Sequence, residues 1–291
     1  MLQTNLTLFA IALAGTAIGA YTDLKTKLVP DWSNYFMLIA GLFGNTIISL
    51  LEKSFWPIIF SLIGAGAFFG IGYLLYITGV WGGGDAKLLA AFGALFGPAA
   101  PVAAWPFLAS LWLNILVFGA IFGIGGMLIL LVKNRASVLP AIKQEFKKNG
   151  LLIYPIVGTM VITGILYPIK AVFGLVAILA GLVFLLFVFK AAESSCLIKT
   201  VKPSSLVEGD WIAEQVNIEN FAFISKKSGI TKAEIAKLVE LEKSDKLKEV
   251  KIKDGIPYVP AFLAALITTV IYGDLFYKTM MLFFSHAVAL P

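Results

Sequence analysis

The sequence predicts an all-α polytopic membrane protein with about eight transmembrane segments, one of them short, and a small cytoplasmic α+β insert. Three observations carry that prediction. The chain of 291 residues is 59% hydrophobic and only 14% charged, with a mean hydropathy of +0.90, whereas a soluble domain holds roughly a quarter charged residues. Apolar runs long enough for a bilayer core of about 30 Å recur along it. Of its 23 Lys and Arg residues, 20 fall into alternate connections between those runs, as the positive-inside rule requires. Open sheets are excluded at membrane depth, because their edge amides would lack partners.

The first apolar run, 5–22, starts without a basic region and leads into Tyr21, Thr22 and Asp23 rather than a small-residue cleavage site. It is therefore expected to be a retained helix and not a signal peptide. Runs 33–51 and 55–80 follow across short turns, which makes antiparallel neighbours of them. The run at 86–97, about 12 residues long, suits a re-entrant or partly sunk helix on length alone. Runs 105–132, 151–168, 171–189 and 258–284 complete the set. The 27 glycines fit closely packed helices. Counting the short run as a crossing places every Lys and Arg except Lys53, Lys170 and Lys278 on the inner side, with both termini outside. Leaving it out would set the basic residues of 133–148 opposite Lys25 and Lys27, so eight crossings explain the charges better.

Residues 191–255 are the one stretch of soluble composition and form the expected cytoplasmic insert. Residues 1–190 and 256–291 then make up the transmembrane domain. Within the insert, Thr231 and Glu234 have capping-box spacing, and Ile235, Leu238, Val239 and Leu241 continue a helical pattern. Residues 249–253 alternate like a short strand, and a turn from Pro257 to Pro260 leads into the last helix. The formal charge of +6 would suggest nucleic acid in a soluble protein. Here it is mostly topology, and no nucleic-acid partner is expected.

One histidine, His286, and one cysteine, Cys196, cannot build a typical zinc site, a four-cysteine cluster, a redox CxxC pair or a disulfide framework. The position of His286 near the C-terminus nearly excludes a Ser-His-Asp triad, and no cofactor or metal is expected. Ionisable groups at membrane edges are costly and so are functional candidates. Asp274 has Lys278 four residues on, the spacing of a helical ion pair; Asp31, after Pro30, suits N-capping of the second segment; and Glu52 lies in an outer turn. Asp23 and Asp85 differ from these. Asp23 ends the first helix and Asp85 opens the short segment, so both fall at the same depth on the inner face. Gly82, Gly83 and Gly84 precede Asp85 and permit the close backbone approach that an extended peptide beside a catalytic acid needs; a plain flexible turn is the other reading. Two carboxyls held close keep one proton between them, the state that peptide hydrolysis by an aspartic dyad uses.

At these residues the sequence resembles the type IV prepilin and preflagellin peptidases, membrane aspartic peptidases of the GxGD class. Gly82-Gly83-Gly84-Asp85-Ala86-Lys87 matches the family's GxGDxK element, and Asp23 with Lys25, Val29, Pro30 and Asn34 matches its first-aspartate element. The stretch from Asp254 through Pro257 to Pro260 is similar to the archaeal branch in a weaker way. The resemblance implies that Asp23 and Asp85 are the catalytic pair, with Gly82, Gly83, Gly84 and Lys87 as loop or substrate support. It implies substrates with short basic class III signal peptides, cut at the cytoplasmic face of the cell membrane before a hydrophobic helix destined for a pilus or archaellum filament. Lys87 would bias the charge of the dyad or touch lipid phosphate, or simply snorkel at the inner edge. Because Cys196 stands alone, no tetracysteine zinc loop is expected. Implied partners are precursor pilins or archaellins, membrane lipids and filament-assembly proteins.

Two other functions fit parts of the pattern. A transporter or channel would use Gly-rich broken helices and carboxylates near the midplane, but the acids stand at the edge and no inverted repeat is visible. A presenilin-like protease of general membrane substrates would place its acids on later, adjacent helices, which the first-helix position of Asp23 opposes.

Overall fold

The computed structural model describes residues 2–97, 101–102, 105–166, 171–218, 221–223, 229–275, 277–279 and 281. The protein is a multi-pass helical bundle. In chain order its helices are α1 (Leu2–Thr26), α2 (Asp31–Leu51), α3 (Trp56–Ile77), α4 (Gly83–Phe96), α5 (Phe107–Lys133), α6 (Arg135–Leu166), α7 (Ala171–Ala192), α8 (Lys232–Lys243) and α9 (Val259–Tyr272). Among the described residues, α1, α2, α3, α5, α6 and α7 are long and apolar enough to cross a membrane. α9 is a shorter apolar helix, and α4, at 14 residues, is likewise shorter than a span needs.

The short segment, α4, is the centre of the bundle. It has 14 residues, about 21 Å of helix, and packs against α1, α2, α3 and α5. Leu88, Leu89, Phe92 and Leu95 on it join Met37, Leu111, Phe262 and Leu266 in the main apolar core. Small residues allow the close approach: a Cβ on Gly41 would fall 2.7 Å from the Ala94 backbone, and one on Gly72 would fall 2.8 Å from Ala86 Cα. A helix that stops inside a bundle leaves its last carbonyls without intrahelical donors. Here Asn45 Nδ2 donates to the carbonyls of Ala94 (3.0 Å) and Leu95 (3.2 Å), and Ser61 Oγ donates to Ala94 at 2.5 Å. These two side chains, on α2 and α3, are what let α4 be short.

The last apolar run is not the single span expected over 258–284. α9 also has 14 residues and ends at Gly273, whose φ of +75° suits glycine. The break exposes backbone groups that need partners in an apolar bundle. Asn114 on α5 supplies them: its Nδ2 donates to Gly273 O (2.8 Å) and its Oδ1 accepts from Leu275 N (3.0 Å). The expected Asp274–Lys278 ion pair is not formed. Asp274 Oδ1 accepts the Tyr277 amide at 2.8 Å, and Lys278 Nζ donates to the carbonyl of Tyr272. Residues 282–284, His286, Pro168 and Lys170 lie outside the described residues.

The basic connection at 133–148 is helical rather than a loop. It forms the first part of α6, which bends at Asn149 (φ −114°, ψ 20°) before its apolar part. α6 packs on α7, with Lys190 Nζ 3.4 Å from Glu145. Short strands β1 (Pro101–Val102) and β2 (Trp105–Pro106) pair before α5.

Past α7, a π-helical turn (Glu193–Leu197) leads into β3 (Ile198–Val201), β4 (Trp211–Ile212), β5 (Val216–Ile218), β6 (Phe221–Phe223), α8 and β7 (Val250–Lys253). β7 lies between β3 and β4, antiparallel to both, and β5 pairs with β6. A separate small core of Leu206, Ile212, Ile230, Leu238 and Val250 fills this unit. Thr231 caps α8 as its spacing predicts, donating its amide to Glu234 Oε2 at 2.9 Å.

Candidate active site

Asp23 and Asp85 lie on α1 and α4, two helices that pack against each other. Asp23 stands in the last turn of α1 and is 6% exposed. Its Oδ2 accepts the Val259 amide at 2.9 Å. Val259 is the first residue of α9, so the carboxylate sits at a helix N-terminus, where free amides and the helix dipole stabilise negative charge. Asp85 is the third residue of α4, and its Oδ2 reaches back to the Gly82 amide at 3.1 Å. Each acid therefore rests on the N-terminus of a different helix. The two lie within electrostatic reach of one another, and no further hydrogen bond to Asp85 is formed among the described residues.

Of the three glycines, Gly84 acts by close approach. Gly82 precedes α4 in extended conformation (φ −74°, ψ 160°). None of the three has positive φ. A Cβ on Gly84 would fall 2.8 Å from Val29 Cβ, so only glycine lets α4 start this close to the α1–α2 connection. Gly83 faces the Tyr76 ring, 3.6 Å from where its Cβ would be. Asn34 Nδ2 donates to Gly84 O at 3.1 Å, which fixes the glycine turn to α2. Trp81, just ahead of the turn, is buried against Tyr258 and Phe262, each 5.3 Å between ring centroids.

Asp31 and Lys87 are partners of each other. Asp31 does not cap α2 with its side chain; the residue before the helix is Pro30. Instead Asp31 Oδ1 accepts from Lys87 Nζ at 2.6 Å, while Lys87 lies 5.5 Å from the Tyr35 ring centroid. The pair ties α4 to α2 beside the acids. Among the described residues no three His, Cys, Asp or Glu side chains converge as a metal site, and Cys196 is a free thiol.

Sequence reasoning missed the amide of Val259, the anchoring by Asn34, and Asp254. Asp254 Oδ2 binds Lys27 Nζ at 2.5 Å and also Lys199 Nζ. It thereby joins the end of α1, strand β3 and the approach to α9. Burial pushes the Asp254 carboxyl up, but the hydrogen bonds and charges of Lys199 and Lys27 outweigh that and hold it below the usual carboxylate range.

Residues 9–124 match the type IV leader peptidase family. The matched segment runs through most of α5 and contains both Asp23 and Asp85. A preflagellin peptidase of Methanococcus voltae is 34% identical over 120 residues, 38% of this chain and 49% of that protein. A preflagellin peptidase of Methanocaldococcus jannaschii is 27% identical over 154 residues, 50% of this chain and 64% of that one. The prepilin peptidase EppA of Methanothermobacter thermautotrophicus is 32% identical over 85 residues, 29% of this chain and 22% of its own length. The chain thus spans about half the length of the first of these relatives and under two thirds of the second. No solved structure matches it.

Proposed function

We propose that this protein is a membrane-embedded aspartic endopeptidase that removes the short basic signal peptide from prepilin-like or preflagellin-like precursors. In this reading Asp23 and Asp85 are the catalytic pair and face the cytoplasm. Residues 1–190 with 256–291 form the peptidase domain, and 191–255 form a cytoplasmic insert. One observation carries the reading: two acids from segments far apart in sequence lie within electrostatic reach of one another, each held through one oxygen by a helix N-terminus. The match of residues 9–124 and the names of the relatives support it.

The chemistry follows from the pair. One carboxylate takes a proton from water as the water oxygen bonds to the scissile carbonyl carbon, and the other, protonated, donates its hydrogen to the carbonyl oxygen. Collapse of the tetrahedral diol breaks the C–N bond as the first carboxyl gives its proton to the departing amine and the second carboxylate takes back a hydroxyl proton while C=O reforms, which restores the pair. The titration belongs to the pair as a unit. Gly82 would leave room for an extended substrate backbone beside Asp85, Gly83 and Gly84 would support the loop against Tyr76 and Val29, and Lys87, engaged by Asp31, would hold α4 in place. The basic residues gathered at this end support a cytoplasmic position for it under the positive-inside rule.

The test is co-incubation in membranes with a preflagellin and a prepilin precursor, followed by N-terminal sequencing of the product. Asp23→Asn and Asp85→Asn should each lower the cleavage rate by about 100-fold or more, the usual scale for an acid–base group, with the protein still folded in the membrane. A single variant that cleaves at the normal rate sinks the dyad.

A further inference from the structure

A cavity of about 380 Å³ opens at the same end of the bundle, outside the paired acids. One wall is a stripe of α5: Gly126, Ile129, Leu130 and Lys133. Their spacing of three and four residues puts them on one helix face, about 10 Å from first to last. This wall is apolar at its deep end and cationic at its shallow end. Ile129 is 68% exposed. Ile256 forms the facing apolar wall, approaching closely because Gly126 has no Cβ.

The shallow end is built from Lys27, Lys133, Lys199 and Asp254. Lys27 and Lys199 share one carboxylate oxygen of Asp254, so one of their charges is not neutralised. Lys133 makes no ion pair among the described residues. The mouth therefore holds an excess of positive charge directly above an apolar floor. A small inorganic anion would use only the mouth, an apolar chain only the floor, and a basic peptide would be repelled. A molecule with a phosphate at one end and hydrocarbon at the other uses both. Basic pockets between membrane helices on the cytoplasmic side hold anionic headgroups for this reason.

We propose that this cavity binds an anionic membrane phospholipid, with its phosphate between Lys133 and the Lys27–Lys199 pair and one chain along Gly126, Ile129 and Leu130. The site does not depend on the peptidase reading, since it rests on the bundle and its position at the membrane edge alone.

The test uses the full chain in detergent, titrated with phosphatidylglycerol or phosphatidylcholine and followed by native mass spectrometry. Phosphatidylglycerol should bind tighter, and Lys133→Gln, at an exposed position, should weaken it about fivefold, with Lys133→Gln plus Lys199→Gln weakening it about thirtyfold, from the usual contribution of a lysine near an anionic lipid. Lys53→Gln, at the opposite end, should change nothing. Equal binding of the two lipids, or full retention in the double variant with an unchanged melting temperature, would overturn the proposal. Displacement of the lipid by millimolar inorganic phosphate would also overturn it, because that outcome assigns the site to a free anion. A Leu130→Asp variant gives a second check, since charge on the floor should weaken lipid binding and leave any binding of free phosphate intact.

Discussion

Gly84 and Gly83 are neighbours with the same side chain and different tolerance. A methyl on Gly84 would press on Val29 at 2.8 and 3.0 Å, whereas one on Gly83 would meet Tyr76 at an ordinary 3.6 Å. Gly84→Ala should lower stability by about 1–3 kcal/mol, the usual cost of overpacking, and Gly83→Ala should be nearly neutral. Thermal unfolding of the two variants measures the contrast, and Val29→Ala should restore the Gly84 variant. If both alanine variants melt alike, close approach is not what this glycine provides. Asp254 supplies a pH test at the same scale. Its carboxyl is held below the ordinary 3.8 by Lys199 and Lys27 against the opposing effect of burial. A depressed carboxylate contributes stability above its unfolded value, and that stability is lost as pH falls through the folded value. Wild type should therefore exceed Asp254→Asn in melting temperature at neutral pH, and the gap should close below about pH 3.8. A gap independent of pH would show that charge at Asp254 is not responsible. Both catalytic candidates were legible as single residues because acids at a membrane edge are few and each stands in a short motif. The amide of Val259 was not, since a backbone donor has no side-chain signature and lies 236 positions from Asp23.

Among the elements, α4 and α9 show how a short helix is tolerated in an apolar bundle. α4 depends on Asn45 and Ser61 for its last carbonyls, and the end of α9 depends on Asn114. Asn45→Leu should destabilise by about 1–3 kcal/mol, because the carbonyls of Ala94 and Leu95 then lose a donor where water cannot replace it. Thermal unfolding in detergent would check this, and an unchanged melting temperature would mean that water reaches the end of α4. Hydropathy revealed α4 because its apolar run is bounded by glycines at both ends. It could not show that α4 is central, as burial against four helices is a property of the fold and not of the segment. The break in the last run was misread for a related reason. Four-residue spacing between Asp274 and Lys278 implies an ion pair only if the helix is continuous, and Gly273 at positive φ ends it first. The glycine-aspartate pair was the available signal.

For the molecule as a whole, the charge pattern carried most of what was legible. Alternation of basic connections called for eight passages, and the structure supplies six long apolar helices with α4 and α9. The capping box and the strand of the α+β unit were also readable, being local. Its attachment was not: Asp254 joins Lys27 and Lys199 across three chain segments, and none of those residues stands out alone. Breaking the tie by Lys27→Ala should separate positioning from chemistry if the proposed reaction is right. Cleavage should slow several-fold with the pH profile of the pair displaced and the N-terminus of the product unchanged. An unaltered rate and profile would show that the attachment does not reach the acids.

The hydrogen bond from Val259 to Asp23 also sets an order of events in biogenesis. Asp85 finds the Gly82 amide three residues away, so its setting forms as soon as α4 does. Asp23 is made first and its amide partner emerges 236 residues later. At ribosomal speeds of about 5–20 residues per second that interval is roughly 10 to 50 s. A nascent chain halted before α9 has both acids in the membrane but lacks the helix terminus that holds one of them. Formation of α9 is thus a built-in checkpoint, and the assembled site belongs only to chains that have been translated past Val259.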